Sequence, residues 1–255
     1  MDIFKKGKNI VIITILLVLA ILEVFAVTKY NSYHHSIKYA YINYKVIEQD
    51  EIAKVDYQKI INDLRVTYNN DDVVGKITIE GTDIDEAIMQ STANNDYYLR
   101  RNEYGAYQEE GCIYEDYRTR LDSKKILIYG HSSPSWQVPF NELEKYYDKS
   151  FYDNHKYITI TTETGVNTYL IFSVFVETSD FTYMNLNITN DTYNRYLKKY
   201  QDNSLYDTGV QVLDNDEILI LQTCSNHAKY SNYKKKYLLV ISKKINKEEK
   251  RWRRY

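Results

Sequence analysis

Two residues in this chain have the types and the setting for covalent chemistry. Cys224 closes the run Ile218-Leu219-Ile220-Leu221-Gln222-Thr223-Cys224, and His131 closes the run Lys125-Ile126-Leu127-Ile128-Tyr129-Gly130-His131. A thiolate is the attacking form of cysteine, and a neighbouring imidazolium lowers the thiol pKa. Imidazole also takes and gives protons near neutral pH, which suits a general acid–base. Cys224 alone reads more readily as an inert, buried small hydrophobe than as a nucleophile. A His at a second strand end turns the balance toward a nucleophile. His227 is a rival base three residues after Cys224, in the loop that follows the strand. His155 falls between a helix and a strand and reads as structural.

The elements that must position these residues are short apolar runs. Ile218 to Leu221 is preceded by the turn formers Asp214-Asn215-Asp216, a pattern of a core strand rather than a helix. A side chain at the tip of a rigid strand is held in place and still meets solvent. Further strands are expected at Val73 to Ile79 and Ile84 to Met89 around Glu80-Gly81-Thr82-Asp83, and at Cys112 to Tyr114. A hairpin is expected from Tyr157 to Glu177 around Glu163-Thr164-Gly165, and a last strand from Tyr237 to Ser242. Helices are expected over Ile47 to Val66, Asn141 to Asn154 and Asn190 to Asp202, the last capped by Thr189 or Asn190.

Composition narrows the function. The chain has 255 residues, room for one sizeable domain and a short appendage. A net charge of -2 gives no electrostatic support to nucleic-acid binding. Its 2 cysteines are too few for a disulfide framework, and Cys112 reads as a buried strand residue. The paired His34-His35 has no acidic or Cys neighbours, so it reads as a solvated stalk; no residue cluster calls for a metal or other cofactor. The basic start with Lys5, Lys6 and Lys8 leads into Ile10 to Val27, nearly all aliphatic and broken by Thr14 and Glu23. That run is about the minimum length for a bilayer-spanning helix, and the lysines hold the N-terminus in the cytoplasm. A cleaved signal peptide is the competing reading, against which Phe25-Ala26-Val27 is a poor cleavage site.

The chain resembles the class B sortases. The matching pieces are Asp72-Val73-Val74-Gly75, Gly81-Thr82-Asp83-Ile84-Asp85, Asn95-Asp96-Tyr97-Tyr98-Leu99, Glu115-Asp116-Tyr117-Arg118, Ile128-Tyr129-Gly130-His131, Leu205-Tyr206-Asp207-Thr208-Gly209-Val210 and Leu221-Gln222-Thr223-Cys224. They keep the family's order from roughly Ile61 to Lys244. The resemblance implies a mainly β fold: a closed eight-stranded barrel with N-terminal helices and a helix between the sixth and seventh strands. It implies this layout: 1–8 cytoplasmic, 9–28 a transmembrane signal anchor, 29–70 stalk and N-terminal helices, 71–245 the catalytic barrel, 246–255 a basic tail. The protein is then a single-pass cell-membrane protein with its catalytic domain outside.

The implied activity is that of a cysteine transpeptidase. It cleaves a C-terminal sorting signal after Thr through a thioester on Cys224, then passes the acyl group to an amine of a peptidoglycan precursor or a pilin lysine. His131 is the implied acid–base. Implied groove residues are Asp85, Met89, Tyr183, Met184, Gln222 and Thr223. The family also carries an arginine just before its last strand, aimed at the oxyanion. No arginine stands there in this chain; Lys236 takes the place, or Lys234 if the loop is shorter, or Arg195 reaches in from elsewhere. Lysine supplies charge but not the two-pronged donor set. The missing arginine keeps a second reading open, a catalytically weak or silent module that binds surface proteins. Asp85-Glu86-Ala87 departs from the family's usual residues, which implies a different substrate choice, and Ser132-Ser133 departs too, which implies a differently shaped loop.

Overall fold

The computed structural model describes residues 55–246 and the single residue Lys29. The chain divides into two compact units, 1–55 and 56–255. The expected cytoplasmic start, membrane anchor, stalk and basic tail lie outside the described residues. Among the described residues no helix is long and apolar enough to cross a membrane.

The second unit is a closed eight-stranded barrel. Its strands are β1 (Val73–Thr78), β2 (Asp85–Met89), β3 (Tyr114–Glu115), β4 (Lys125–Tyr129), β5 (Tyr157–Thr162), β6 (Gly165–Glu177), β7 (Ile218–Cys224) and β8 (Tyr237–Ile245). The order around the ring is β1-β2-β3-β4-β7-β8-β6-β5. Most neighbours are antiparallel; β2–β3 and β4–β7 are parallel. Among the described residues three α-helices accompany the ring: α1 (Tyr57–Tyr68), α2 (Lys149–Asn154) and α3 (Asn190–Asp202), the last between the sixth and seventh strands as the family pattern implies.

Strand alternation sorts the apolar residues onto two faces. Ile126 and Ile128 of β4 join Leu219 and Leu221 of β7 in a cluster drawn from around the ring, which is the barrel interior. Leu127, Tyr129, Ile218 and Ile220 face the other way and pack with Tyr183, Tyr193 and Leu197 from the β6–β7 connection. Both faces of the β4–β7 pair are therefore covered, which is why these two strands read as continuous apolar runs.

Helix α1 starts where the Asp56 side chain accepts the Lys59 N–H at 2.9 Å and ends at Asn69, left-handed with φ 47°. Ile61 is its buried anchor, and Arg65 ties it to β1 by donating to the Val73 carbonyl at 3.0 Å. The single helix expected over Asn141 to Asn154 is two elements: a 3₁₀ segment, Pro139–Tyr147, then α2. Asp148 breaks them apart in extended conformation, φ -92° and ψ 121°, because its carboxylate caps the new helix at Ser150 N. Cys112 is buried as expected but lies just ahead of the short β3 rather than within a strand. His155 stacks on Phe151 at 4.0 Å and borders Gly81, whose φ of 82° makes the β1–β2 turn.

Candidate active site

The parallel pairing of β4 with β7 builds the site. Their register sets Ile128 against Leu221 and Tyr129 against Gln222, and Gly130 N donates to the Gln222 carbonyl at 3.2 Å. His131 and Cys224 each lie two residues beyond the Tyr129–Gln222 pair. They leave the same end of adjacent strands at the same level. Gly130 fits this junction because a Cβ there would meet the Phe140 ring at 2.6 Å.

Cys224 is exposed, while Thr223 beside it is fully buried, as strand alternation requires. The protein still crowds the sulfur enough for desolvation to lift its thiol above the ordinary value. Glu144 adds to that rise and Lys236 opposes it. His131 is half-buried, edge-on to Trp136 at 5.9 Å, with Nε2 at 2.9 Å from the Leu99 carbonyl. A carbonyl only accepts, so Nε2 carries the proton and Nδ1 is the free basic nitrogen. The Leu99 carbonyl belongs to a 3₁₀ turn, Tyr98–Arg100, held by the Tyr98 hydroxyl donating to Asp72 at 2.6 Å.

Lys236 stands at the third corner. Cys224 pairs with Tyr237, the first residue of β8, and Ser225 N donates to the Lys236 carbonyl at 2.9 Å. Lys236 is half-buried, whereas Lys234 is exposed farther back in the loop. Arg195 does not reach the site: its guanidinium donates to Thr192 on its own helix at 2.9 Å. His227 is used locally, its Nδ1 accepting the Lys229 N–H at 3.2 Å and its ring lying 4.5 Å from that of Tyr147.

The six groove candidates separate. Tyr183 is buried and donates to Gln222 Oε1 at 2.7 Å, so these two form one unit beside β7. Met184 follows half-buried, its carbonyl 3.4 Å from Arg118 Nη2. Met89 is fully buried in the same apolar cluster as Tyr114, Tyr129 and Tyr183, a packing position beneath the surface. Thr223 also turns inward, and its hydroxyl has no hydrogen-bond partner. Asp85 is exposed on the β1–β2 pair, bound to Lys76 and Thr78, each at 2.8 Å.

Glu144, Asn226 and Tyr147 at the site carried no signal in the sequence. Glu144, on the 3₁₀ segment, accepts the Asn226 N–H at 2.9 Å. The Asn226 side chain donates to Ser132 Oγ at 2.8 Å, and Tyr147 shares a 2.6 Å hydrogen bond with Ser225. These bonds tie the loop after His131 to the loop after Cys224. Behind them, Asp116 is fully buried. Burial alone would raise its carboxyl, but bonds from Arg118, Tyr129 and Asn95 outweigh that and hold it below the usual carboxylate range.

A family model described as a sortase domain matches residues 77–244. The chain belongs to the sortase family. The Sortase B of Listeria monocytogenes serovar 1/2a is 35% identical over 183 residues, covering 70% of this chain and 72% of the relative. Among solved structures, a Staphylococcus aureus sortase B–substrate complex aligns with a TM-score of 0.67 at 25% identity, covering 82% of this chain and 98% of the other. Clostridium perfringens sortase B aligns with a TM-score of 0.63 at 27% identity, covering 72% and 99%. These relatives make the chain a class B sortase, and sortases are cysteine transpeptidases.

Proposed function

We infer that this sortase cleaves a C-terminal sorting signal after Thr, holds the acyl part as a thioester on Cys224, and passes it to an amine of the cell wall or of a pilin. The Cys224 thiolate attacks the scissile carbonyl. The C–N bond breaks and the departing amine takes its proton from His131. The incoming amine then attacks the thioester, returns a proton to His131 and frees the thiolate. With Nε2 bound to the Leu99 carbonyl, Nδ1 is the atom through which that proton moves.

The observation that carries this reading is the in-register parallel pairing that brings the tips of β4 and β7 side by side. Lys236 serves in place of the family's arginine. Its position ahead of β8 and its charge next to the sulfur support a double role, favouring the thiolate and then the oxyanion. Tyr183, Met184 and Gln222 form the groove wall on the β7 side, with Met89 packed beneath it. Thr223, turned inward, sets the thiol's direction rather than touching substrate. Asp85 reads the substrate from the barrel's β1–β2 side. The apolar run from Ile10 to Val27 anchors the chain in the cell membrane with the barrel outside, where secreted substrates emerge and amine acceptors arrive. A sortase B of similar structure has been solved in complex with triglycine, which fits a primary-amine acceptor.

The test is a quenched sorting-signal peptide assayed with and without added oligoglycine. Cleavage that depends on Cys224 and is accelerated by the amine is expected. Cleavage that survives Cys224→Ala would overturn the reading. Turnover indifferent to amines would replace the transferase with a hydrolase.

A further inference from the structure

The end of the β4–β7 pair farthest from the thiol holds a different kind of site. A cavity of about 280 Å³ opens there, between the start of β4, the segment leading into α3 and the first turns of α3. Its lining includes Arg118, Lys124 and Lys125, and no carboxylate. Lys125 sits six residues before His131, roughly 20 Å along the strand at about 3.3 Å per residue.

Lys125 is only 7% exposed. Its ammonium donates to the Asn185 carbonyl at 3.0 Å and has no ion-pair partner among the described residues. Burial and the nearby Arg118 pull it down to about 7. Lys124 is held by the amide oxygens of Asn215 at 2.7 Å and Asn190 at 3.4 Å, both neutral. Its ammonium also lies 4.3 Å from the centre of the Tyr193 ring. Arg118 is the one cation of the three already matched, by Asp116. Lysine is almost never buried without a counter-charge, because desolvating an unmatched ammonium is costly. An anion in the cavity would supply what the protein does not. Two point charges and a guanidinium around a small polar chamber suit a compact oxyanion of high charge.

We propose that this cavity, lined by Arg118, Lys124 and Lys125 with Asn187 and Asn190, is a binding site for a phosphate group, separate from the thiol site on the same barrel. The phosphate belongs to a free anion or to a lipid headgroup; both offer the same oxygens to the same cations.

The test is thermal unfolding of the full chain in detergent. Sodium phosphate is titrated at pH 7 with ionic strength held constant by sodium chloride. The unfolding temperature should rise saturably in the native sequence and equally in Cys224→Ala. In Lys125→Met and in Lys124→Gln, half-saturation should move to about tenfold higher phosphate or beyond. If Lys125→Met fails to fold, Lys124→Gln decides alone. Absence of a saturable rise would overturn the proposal. So would unchanged half-saturation in a folded lysine variant, or loss of the rise in Cys224→Ala. A parallel titration uses short-chain phosphatidylglycerol below its micelle concentration. Tighter saturation by it points to a headgroup, and tighter saturation by inorganic phosphate to a free anion; either supports the site.

Discussion

The β4–β7 pair has two ends that handle polar chemistry in opposite ways. At the end bearing His131 and Cys224, Glu144, Lys236 and His131 each have a nearby answer. Glu144 meets the Asn226 N–H, Lys236 balances Glu144 at the sulfur, and the His131 ring is fixed by a carbonyl. At the other end Lys125 is buried against one neutral carbonyl. The same two apolar strands run between them, so the sheet itself does not decide the difference. The loops do. At the reactive end the β4–β5 and β7–β8 connections are bonded to each other, which keeps an exposed thiol in a set direction. At the far end Lys125, unlike the nearby Lys243 with Asp216 at 3.1 Å, has no ion-pair partner among the described residues.

The strongest way to break this contrast is Cys224→Ala, which should lower peptide cleavage by about 10⁴-fold or more, as loss of a nucleophile does. Next is Lys236→Met, expected to cost about a hundred- to a thousandfold in kcat through the oxyanion. The same change removes the charge that lowers the thiol pKa, so the pH midpoint of iodoacetamide alkylation should move up. Lys236→Arg should keep most of the activity. Gly130→Ala drives a methyl into the Phe140 ring and shifts His131, and should reduce kcat on the order of a hundredfold with KM little changed.

Glu144→Gln has the opposite electrostatic sign from Lys236→Met. With the negative charge gone the thiolate forms more readily, and alkylation near neutral pH should speed up by a few-fold. At the far end the readout is stability. Burial lowers Lys125 to about 7 in the folded state, while the unfolded chain keeps it near the ordinary lysine value of ~10.4. Between those values the unfolded state binds more protons, so stability rises with pH, and the cost of the charge is fullest below about pH 7. Lys125→Met should therefore stabilise the protein by about 1–2 kcal/mol at pH 6, with the gain shrinking toward pH 10, as measured by urea unfolding.

Much of this was legible along the chain because strands buried on both faces leave unmistakable runs. Ile218 to Leu221 and Ile126 to Ile128 announce themselves, and their last residues are the candidate nucleophile and base. The break at Asp148 was hidden, because Leu143, Tyr146 and Phe151 keep a helical spacing across it. Glu144 was invisible for a related reason. It is one acid among several on a polar stretch, and only the fold carries it 82 residues along the chain to the Asn226 N–H. Met89 shows the reverse failure: its place in the family pattern suggests an open groove, yet alternation along β2 and its neighbours Tyr114 and Tyr183 bury it. Lys125 opens an apolar run and reads as a strand's solvated first residue. Nothing local says that the β6–β7 connection will cover it.

The strand that carries Cys224 is paired on both sides, with β4 and with β8, so its own main-chain N–H and C=O groups are not open along a margin. A peptide arriving at Cys224 cannot add to that strand. On the proposed reading it is gripped by side chains and by the connections bordering the thiol, segments that can be rewritten without unpicking the barrel.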